Sequence, residues 1–182
     1  MVFLLLVALA GVLGLLLIFV VFARHLPDPS NLEDRTITQS TKIYDRTGKV
    51  ILYDIHGEER RTIVPFNEIP QVVKDATIVS EDKDFYKHKG LDFRAIVRAM
   101  WLNLTSDSLQ GGSTITQHFV KKSILSDERT WTRKIKEAIL ALELERRYSK
   151  DEILNFYLNQ IPYGINAYGI EAAAQTYFSK KA

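Results

Sequence analysis

The chain contains no cysteine, which excludes disulfides and leaves the redox compartment undecided. It has no strong charge imbalance either. A formal net charge of +2, without basic runs interleaved with regularly spaced aromatics, argues against a nucleic-acid partner. The four histidines, His25, His56, His88 and His118, lack the spacing of a protein zinc site. There is no internal repeat and no low-complexity tract. A nucleotide-binding P-loop is missing too, because the glycine-containing string GGSTITQ at 111–117 is not followed by Gly-Lys-Ser/Thr.

What is present begins with an apolar run from Met1 to Ala23, closed by Arg24 and His25. At about 1.5 Å of rise per residue, roughly 20 helical residues cross a hydrocarbon core of about 30 Å. Residues 1–23 are therefore expected to form one transmembrane helix. A cleaved signal peptide fits less well, since its apolar region is shorter and no small-residue cleavage site follows Ala23. Ala10 and Gly14 form a small-xxx-small pair that could seat another helix. Lys and Arg follow the span and do not precede it, a bias that by itself puts the C-terminal side in the cytoplasm.

The rest of the chain suffices for one domain with a real core and not for two. Residues 24–40, with Pro27 and Pro29, read as a stalk, and 41–182 as the domain. Between Thr41 and Val64 the β-rich runs KIYD, KVILYDI and RRTIV, separated by turn signals at Arg46-Thr47-Gly48 and His56-Gly57, predict a small antiparallel meander. Everything after it reads as helical. Pro70 can open a helix whose apolar positions Val72, Val73, Ala76 and Val79 deliver Glu81 near its end. Further helices are expected over 91–104, 114–125, 132–147 and 150–160, the last with Ile153, Leu154, Tyr157, Leu158 and Ile161 on one stripe.

Three local groups carry chemistry. Glu81, in EDKDFYKHKGLD, can serve as a base at neutral pH if its site is partly dry. An acidic pair at a helix end is the ordinary alternative. In GGSTITQ, glycines allow close backbone approach, and free amides plus hydroxyls at a helix start suit phosphate or sugar oxygens, although such a string also describes a plain capped helix. From Lys121 to Lys150, Lys and Arg outnumber Asp and Glu. Such a cluster can stabilise a leaving anion or simply solvate a helix face. Arg133 and Glu137, four apart, share a helix face and can orient each other.

Taken together, EDKDFYKHKGLD, GGSTITQ, RKIKE at 133–137 and KDEILNFYLNQIPYGINAYGIEAAAQTYFSK at 150–180 resemble the peptidoglycan glycosyltransferase domain of class A penicillin-binding proteins and of monofunctional transglycosylases. The resemblance implies a mainly α, lysozyme-like fold with the small β-meander at its N-terminal side and the transmembrane helix before it. It implies polymerisation of lipid II into β-1,4-linked glycan, with undecaprenyl diphosphate as leaving group. Glu81 would be the catalytic base, and Glu137 the second essential carboxylate, holding basic groups rather than moving the proton. Substrate contacts would come from Asp82, Phe85, His88, Ser113, Thr114, Gln117, Lys121, Arg133 and Lys134. For His88 a packing and hydrogen-bonding role competes, and Gly90 would permit a turn that a side chain would block. Asn159, Tyr163, Gly164, Gly169 and 172–174 match motifs of mainly structural use.

Four positions depart from the family pattern, which usually has Arg where Lys83 stands, Gln and Asn where His118 and Lys122 stand, and Gly where Ser179 stands. The implied partners are lipid II, the undecaprenyl-diphosphate-linked glycan, the membrane and other cell-wall synthesis proteins. A divalent cation, Mg or Mn, at the substrate diphosphate is the one cofactor to consider. The implied location is the outer face of the cytoplasmic membrane, single-pass, which overrides the local charge bias. Apolar residues Trp101, Leu102, Leu104, Phe119, Ile124, Leu125 and Trp131 could reach the bilayer, with core packing as their competing use. Family domains continue through further helices beyond the position of Ala182, so an incomplete domain that binds without turnover is one rival. A glycan hydrolase is the other. The SxxK string at 80–83 has neither Ser-Asp-Asn nor Lys-Thr-Gly to accompany it and is a coincidence.

Overall fold

Helices dominate beyond residue 70, and four of the six starts are marked by a side chain that satisfies a free backbone amide. The computed structural model describes residues 40–49, 51–55, 60–106, 111–125 and 130–182, with a few isolated positions nearer the N-terminus. Within them run α1 Gln71–Glu81, α2 Phe93–Thr105, α3 Ile115–Ser123, α4 Trp131–Arg147, α5 Lys150–Gln160 and α6 Ile170–Phe178. Asp92 caps α2 through Ala95 N, and Thr130 caps α4 through Arg133 N. Thr114 with Gln117, and Ser149 with Glu152, form reciprocal capping boxes on α3 and α5. Pro70 precedes α1, where a missing N–H costs nothing. The architecture is mainly α, as expected.

The nine-residue helix α3 is the hub. Ile115, Phe119 and Val120 are fully buried against Leu140, Ala141 and Leu144 of α4 and against Ile153, Leu154, Tyr157 and Leu158 of α5. The α5 stripe is thus buried as its spacing predicts. Burying side chains of this kind stabilises by about 1.5–3 kcal/mol each before entropy is counted. Polar links brace the same packing: Thr116 Oγ1 donates to Glu145 Oε1 at 2.5 Å, and Lys150 Nζ to the same oxygen at 2.8 Å.

One expectation is corrected. The β-rich runs do not make a meander. β1 Thr41–Tyr44 and β2 Ile51–Ile55 form an antiparallel hairpin. β3 Arg60–Arg61 instead leaves it to pair in parallel with β5 Ala167–Tyr168, whose other neighbour is the antiparallel β4 Pro162–Gly164. Asn159 secures this crossing, its side chain accepting from Val64 N at 2.8 Å and donating to Val64 O at 3.0 Å. On α1, Val72, Ala76 and Val79 face outward, and the inward face is Val73, Lys74, Thr77 and Ile78. Lys74 can sit inside because its ammonium lies 3.9 Å from the Phe66 ring centre. The expected span over 1–23 and the stalk over 24–40 lie outside the described residues, apart from isolated positions. Among the described residues no helix is long and apolar enough to cross a membrane.

Candidate active site

The end of α1 and the start of α3 meet, and the meeting is made by Asp82. This residue follows α1, is buried, and its Oδ2 accepts from Ile115 N at 3.1 Å and pairs with His88 Nε2 at 2.9 Å. A carboxylate facing free amides at a helix start is a favourable charge-assisted arrangement. Gly90, at φ +87°, lets the chain turn beneath it, and its carbonyl accepts from Thr114 Oγ1 at 2.7 Å. Gln117 is buried, closing the capping box. Phe85 is buried completely, with Lys150 Nζ 4.3 Å from its ring centre. These residues form the floor of the site.

On that floor Glu81 stands between two cavities. One, of about 360 Å³, is lined by Thr77, Ser80, Glu81, His118, Lys121, Lys122, Tyr157 and Tyr163, among others. The other, of about 210 Å³, is lined by Glu81, Asp82, Lys83, Arg98, Gly111, Gly112, Ser113 and Thr114, among others. The Glu81 side chain is 37% exposed, and its Oε2 lies 3.0 Å from Nδ1 of His118. Burial, and then the charge of Glu81, pushes the Tyr163 phenol up to about 12. The same two causes, in the same order, raise Tyr157. Both phenols therefore stay neutral beside the carboxylate at ordinary pH.

Glu137 is positioned differently. Its side chain is 2% exposed, accepting from Arg133 Nη1 at 2.9 Å and Lys134 Nζ at 2.6 Å. Lys134 Nζ also donates to Ser113 Oγ at 2.8 Å, which ties this buried cluster to the smaller cavity. Two cations on an enclosed carboxylate offset the cost of its burial. Glu137 thus pairs with both Arg133 and Lys134 in the interior behind Ser113.

Of the residues singled out from the sequence, the structure brings Glu81 and Lys121 together on the larger cavity, and Glu81, Asp82, Ser113 and Thr114 on the smaller. Arg133 and Lys134 stand behind Ser113, while Phe85, His88 and Gln117 lie in the interior. Among the cavity residues, sequence reasoning missed Arg98 entirely, since nothing within α2 distinguishes it from any other solvated arginine. Among the described residues no group of three or more His, Asp or Glu is gathered to hold a metal ion.

A mostly helical domain thus presents an accessible glutamate between two cation-bordered cavities. The transglycosylase family model matches residues 48–182. The chain is 45% identical over 175 residues to penicillin-binding protein 1A of Aquifex aeolicus, covering 96% of this chain and 24% of that protein. It is 43% identical over 151 residues to penicillin-binding protein 4 of Bacillus subtilis, covering 82% of this chain and 24% of that protein. Penicillin-binding protein 1A of Rickettsia bellii is 44% identical over 163 residues, or 87% of this chain and 20% of the relative. The chain belongs to the transglycosylase family, as that domain occurs in penicillin-binding proteins. It spans about a quarter or less of the length of these curated relatives.

Proposed function

We propose that this chain is a peptidoglycan glycosyltransferase domain of lysozyme-like fold, polymerising lipid II into β-1,4-linked glycan strands on the outer face of the cytoplasmic membrane. The observation that carries the reading is Glu81 on a wall common to two cavities. Lys121 and Lys122 border one cavity, and Lys83 and Arg98 the other. Joining two sugars needs two sugar sites that meet at one base. Hydrolysis of a glycan also holds sugar on both sides of the bond but has no diphosphate to neutralise, so the cations on both cavities favour transfer.

In the reaction, Glu81 takes the proton of the acceptor's N-acetylglucosamine 4-hydroxyl as that oxygen attacks the anomeric carbon of the donor's N-acetylmuramic acid. The bond to the diphosphate breaks as the new one forms, its electron pair leaving with undecaprenyl diphosphate, and the α-linked centre inverts to β. Charge grows on the leaving phosphate, and fixed cations facing it lower the barrier without reorganising. Lys121, Arg98 and Lys83 supply that charge directly, whereas Arg133 and Lys134 are held near Ser113 by Glu137. A divalent ion, Mg or Mn, would arrive on the diphosphate itself.

Membrane contact is part of the proposal. Along α2, Phe93, Val97, Met100, Trp101 and Leu104 are 61–81% exposed, an apolar face next to the smaller cavity that suits a lipid-tailed substrate. Trp131 joins them at 88% exposure. Phe119, by contrast, is spent in the core, and Ile124 and Leu125 pack against it. Residues 1–23 would anchor the chain, 24–40 would space it, and 41–182 would carry the chemistry.

The test is polymerisation of labelled lipid II by the detergent-solubilised chain, with Glu81→Gln alongside. Long glycan products that fall by about 10²-fold or more in the variant support the reading. Cleavage of preformed glycan without diphosphate release would favour hydrolysis. Binding of the substrate by a folded chain with no product would reduce the domain to a binding unit.

A further inference from the structure

Glu81 shares its cavity with a second ionisable group whose nitrogen is within hydrogen-bond distance. His118 projects from α3, and its Nδ1 lies 3.0 Å from Glu81 Oε2, with the two side chains 38% and 37% exposed. A glutamine, which the family pattern carries at this position, could donate to the carboxylate but could not change charge. A histidine can do both. We propose that His118 is a positioning residue for Glu81 whose ionisation sets the acid limit of the transfer reaction. This rests on the reading of Glu81 as the base.

The physical argument follows the proton. With its proton on Nδ1, the neutral ring donates to Oε2, fixing the carboxylate plane and leaving Oε1 for the acceptor hydroxyl. When the ring takes a second proton, an imidazolium stands against the carboxylate, the pair becomes charged, and Glu81 is a poorer base. The other titratable groups on this cavity do not imitate the effect. Lys121 and Lys122, from α3 itself, carry amines, a type that ordinarily ionises far above neutrality. Tyr157 of α5 and Tyr163 of β4 stay neutral at ordinary pH, because burial and the charge of Glu81 push both phenols up. Among the side-chain types on this cavity, imidazole is the one whose ordinary charge change lies nearest neutrality.

The experiment compares the pH profile of lipid II polymerisation for the full chain, His118→Gln and His118→Ala. His118→Ala loses the donor and should lower kcat about tenfold with KM little changed. His118→Gln restores a donor, so it should recover part of that loss and extend activity to more acidic pH. Profiles of the parent and His118→Gln that superimpose on the acid side would overturn the proposal, as would equal losses in the two variants. A nuclear magnetic resonance titration of the His118 ring, which needs no turnover, gives a second reading. In Glu81→Gln the ring should take its proton at lower pH, because the anion 3.0 Å away is gone. An unchanged midpoint would refute the pairing. Retention of activity in Glu81→Gln would instead refute the base assignment, so the two failures are distinguishable.

Discussion

Three glycines differ in one respect each, so replacing each with alanine separates backbone strain from steric fit. Gly111 has no neighbour within 4 Å of an added Cβ and no left-handed backbone. Gly48 has φ +69° and likewise nothing within 4 Å. Gly90 has φ +87°, and its added Cβ would lie 2.9 Å from Ala141 O and 3.0 Å from Ala141 C. A left-handed residue with a Cβ costs about 1–2 kcal/mol. Alanine also removes unfolded-state freedom, which returns about 0.4–1 kcal/mol. Gly111→Ala should therefore be neutral to slightly stabilising, and Gly48→Ala should cost roughly 0.5–1 kcal/mol. Gly90→Ala adds a clash with the backbone of α4, which cannot yield as a side chain end would. At about 1–3 kcal/mol for overpacking, its net cost is about 2–4 kcal/mol. Urea unfolding followed by circular dichroism reads this directly. With a slope of about 1–3 kcal/mol per molar urea, the Gly90→Ala midpoint should fall by about 1–2 M. Because the Gly90 carbonyl holds Thr114, polymerase activity should fall with it. A Gly90→Ala midpoint no lower than that of Gly48→Ala would show that α4 accommodates the methyl and would refute the reasoning.

Asn159 is 3% exposed and bonds both backbone groups of Val64, so Asn159→Ala should cost about 2–4 kcal/mol in thermal or urea unfolding. Hydrogen bonds from Arg146 and Arg147 hold the Glu143 carboxyl down to about 2 from its ordinary 4.5. The resulting stability is fully present above the unfolded value and is lost as pH falls from 4.5 towards 2, and Glu143→Gln should flatten acid unfolding across that window. The Tyr163 phenol moves the other way, from 10.0 to about 12, first through burial and then through the charge of Glu81. Its contribution is present below pH 10 and is lost as pH rises to 12, so phenolate absorbance should show Tyr163 titrating late together with Tyr86 and Tyr157, and Tyr163 and Tyr157 earlier again in Glu81→Gln.

Much of the framework is legible in the chain because the signals that start helices are local. Thr114 with Gln117 and Ser149 with Glu152 announce α3 and α5 within four residues. The stripe from Ile153 to Ile161 is buried where its spacing puts it. Less local features were misread. The pairing of Arg60 with Ala167 joins segments too far apart for any turn signal to announce, so β3 looked like the third strand of a meander. The helical spacing of Val72, Val73, Ala76 and Val79 does not say which face packs inward, and the inner face includes Lys74, buried with its ammonium over an aromatic ring.

The site divides in the same way. By itself the sequence determined which residue types were on hand: two glutamates in motif positions, a hydroxyl-rich helix start and a supply of cations. Only tertiary structure decided their roles. Glu81 and Glu137 have the same side chain and the same intrinsic chemistry. One is left at the mouth of two cavities and the other is enclosed between Arg133 and Lys134. Likewise, Arg98 and His118 became neighbours of Glu81 because α2 and α3 pack at the end of α1. Exposure, pairing and distance arise from the packing of elements remote in sequence, and these quantities separate an accessible carboxylate from an enclosed ion pair.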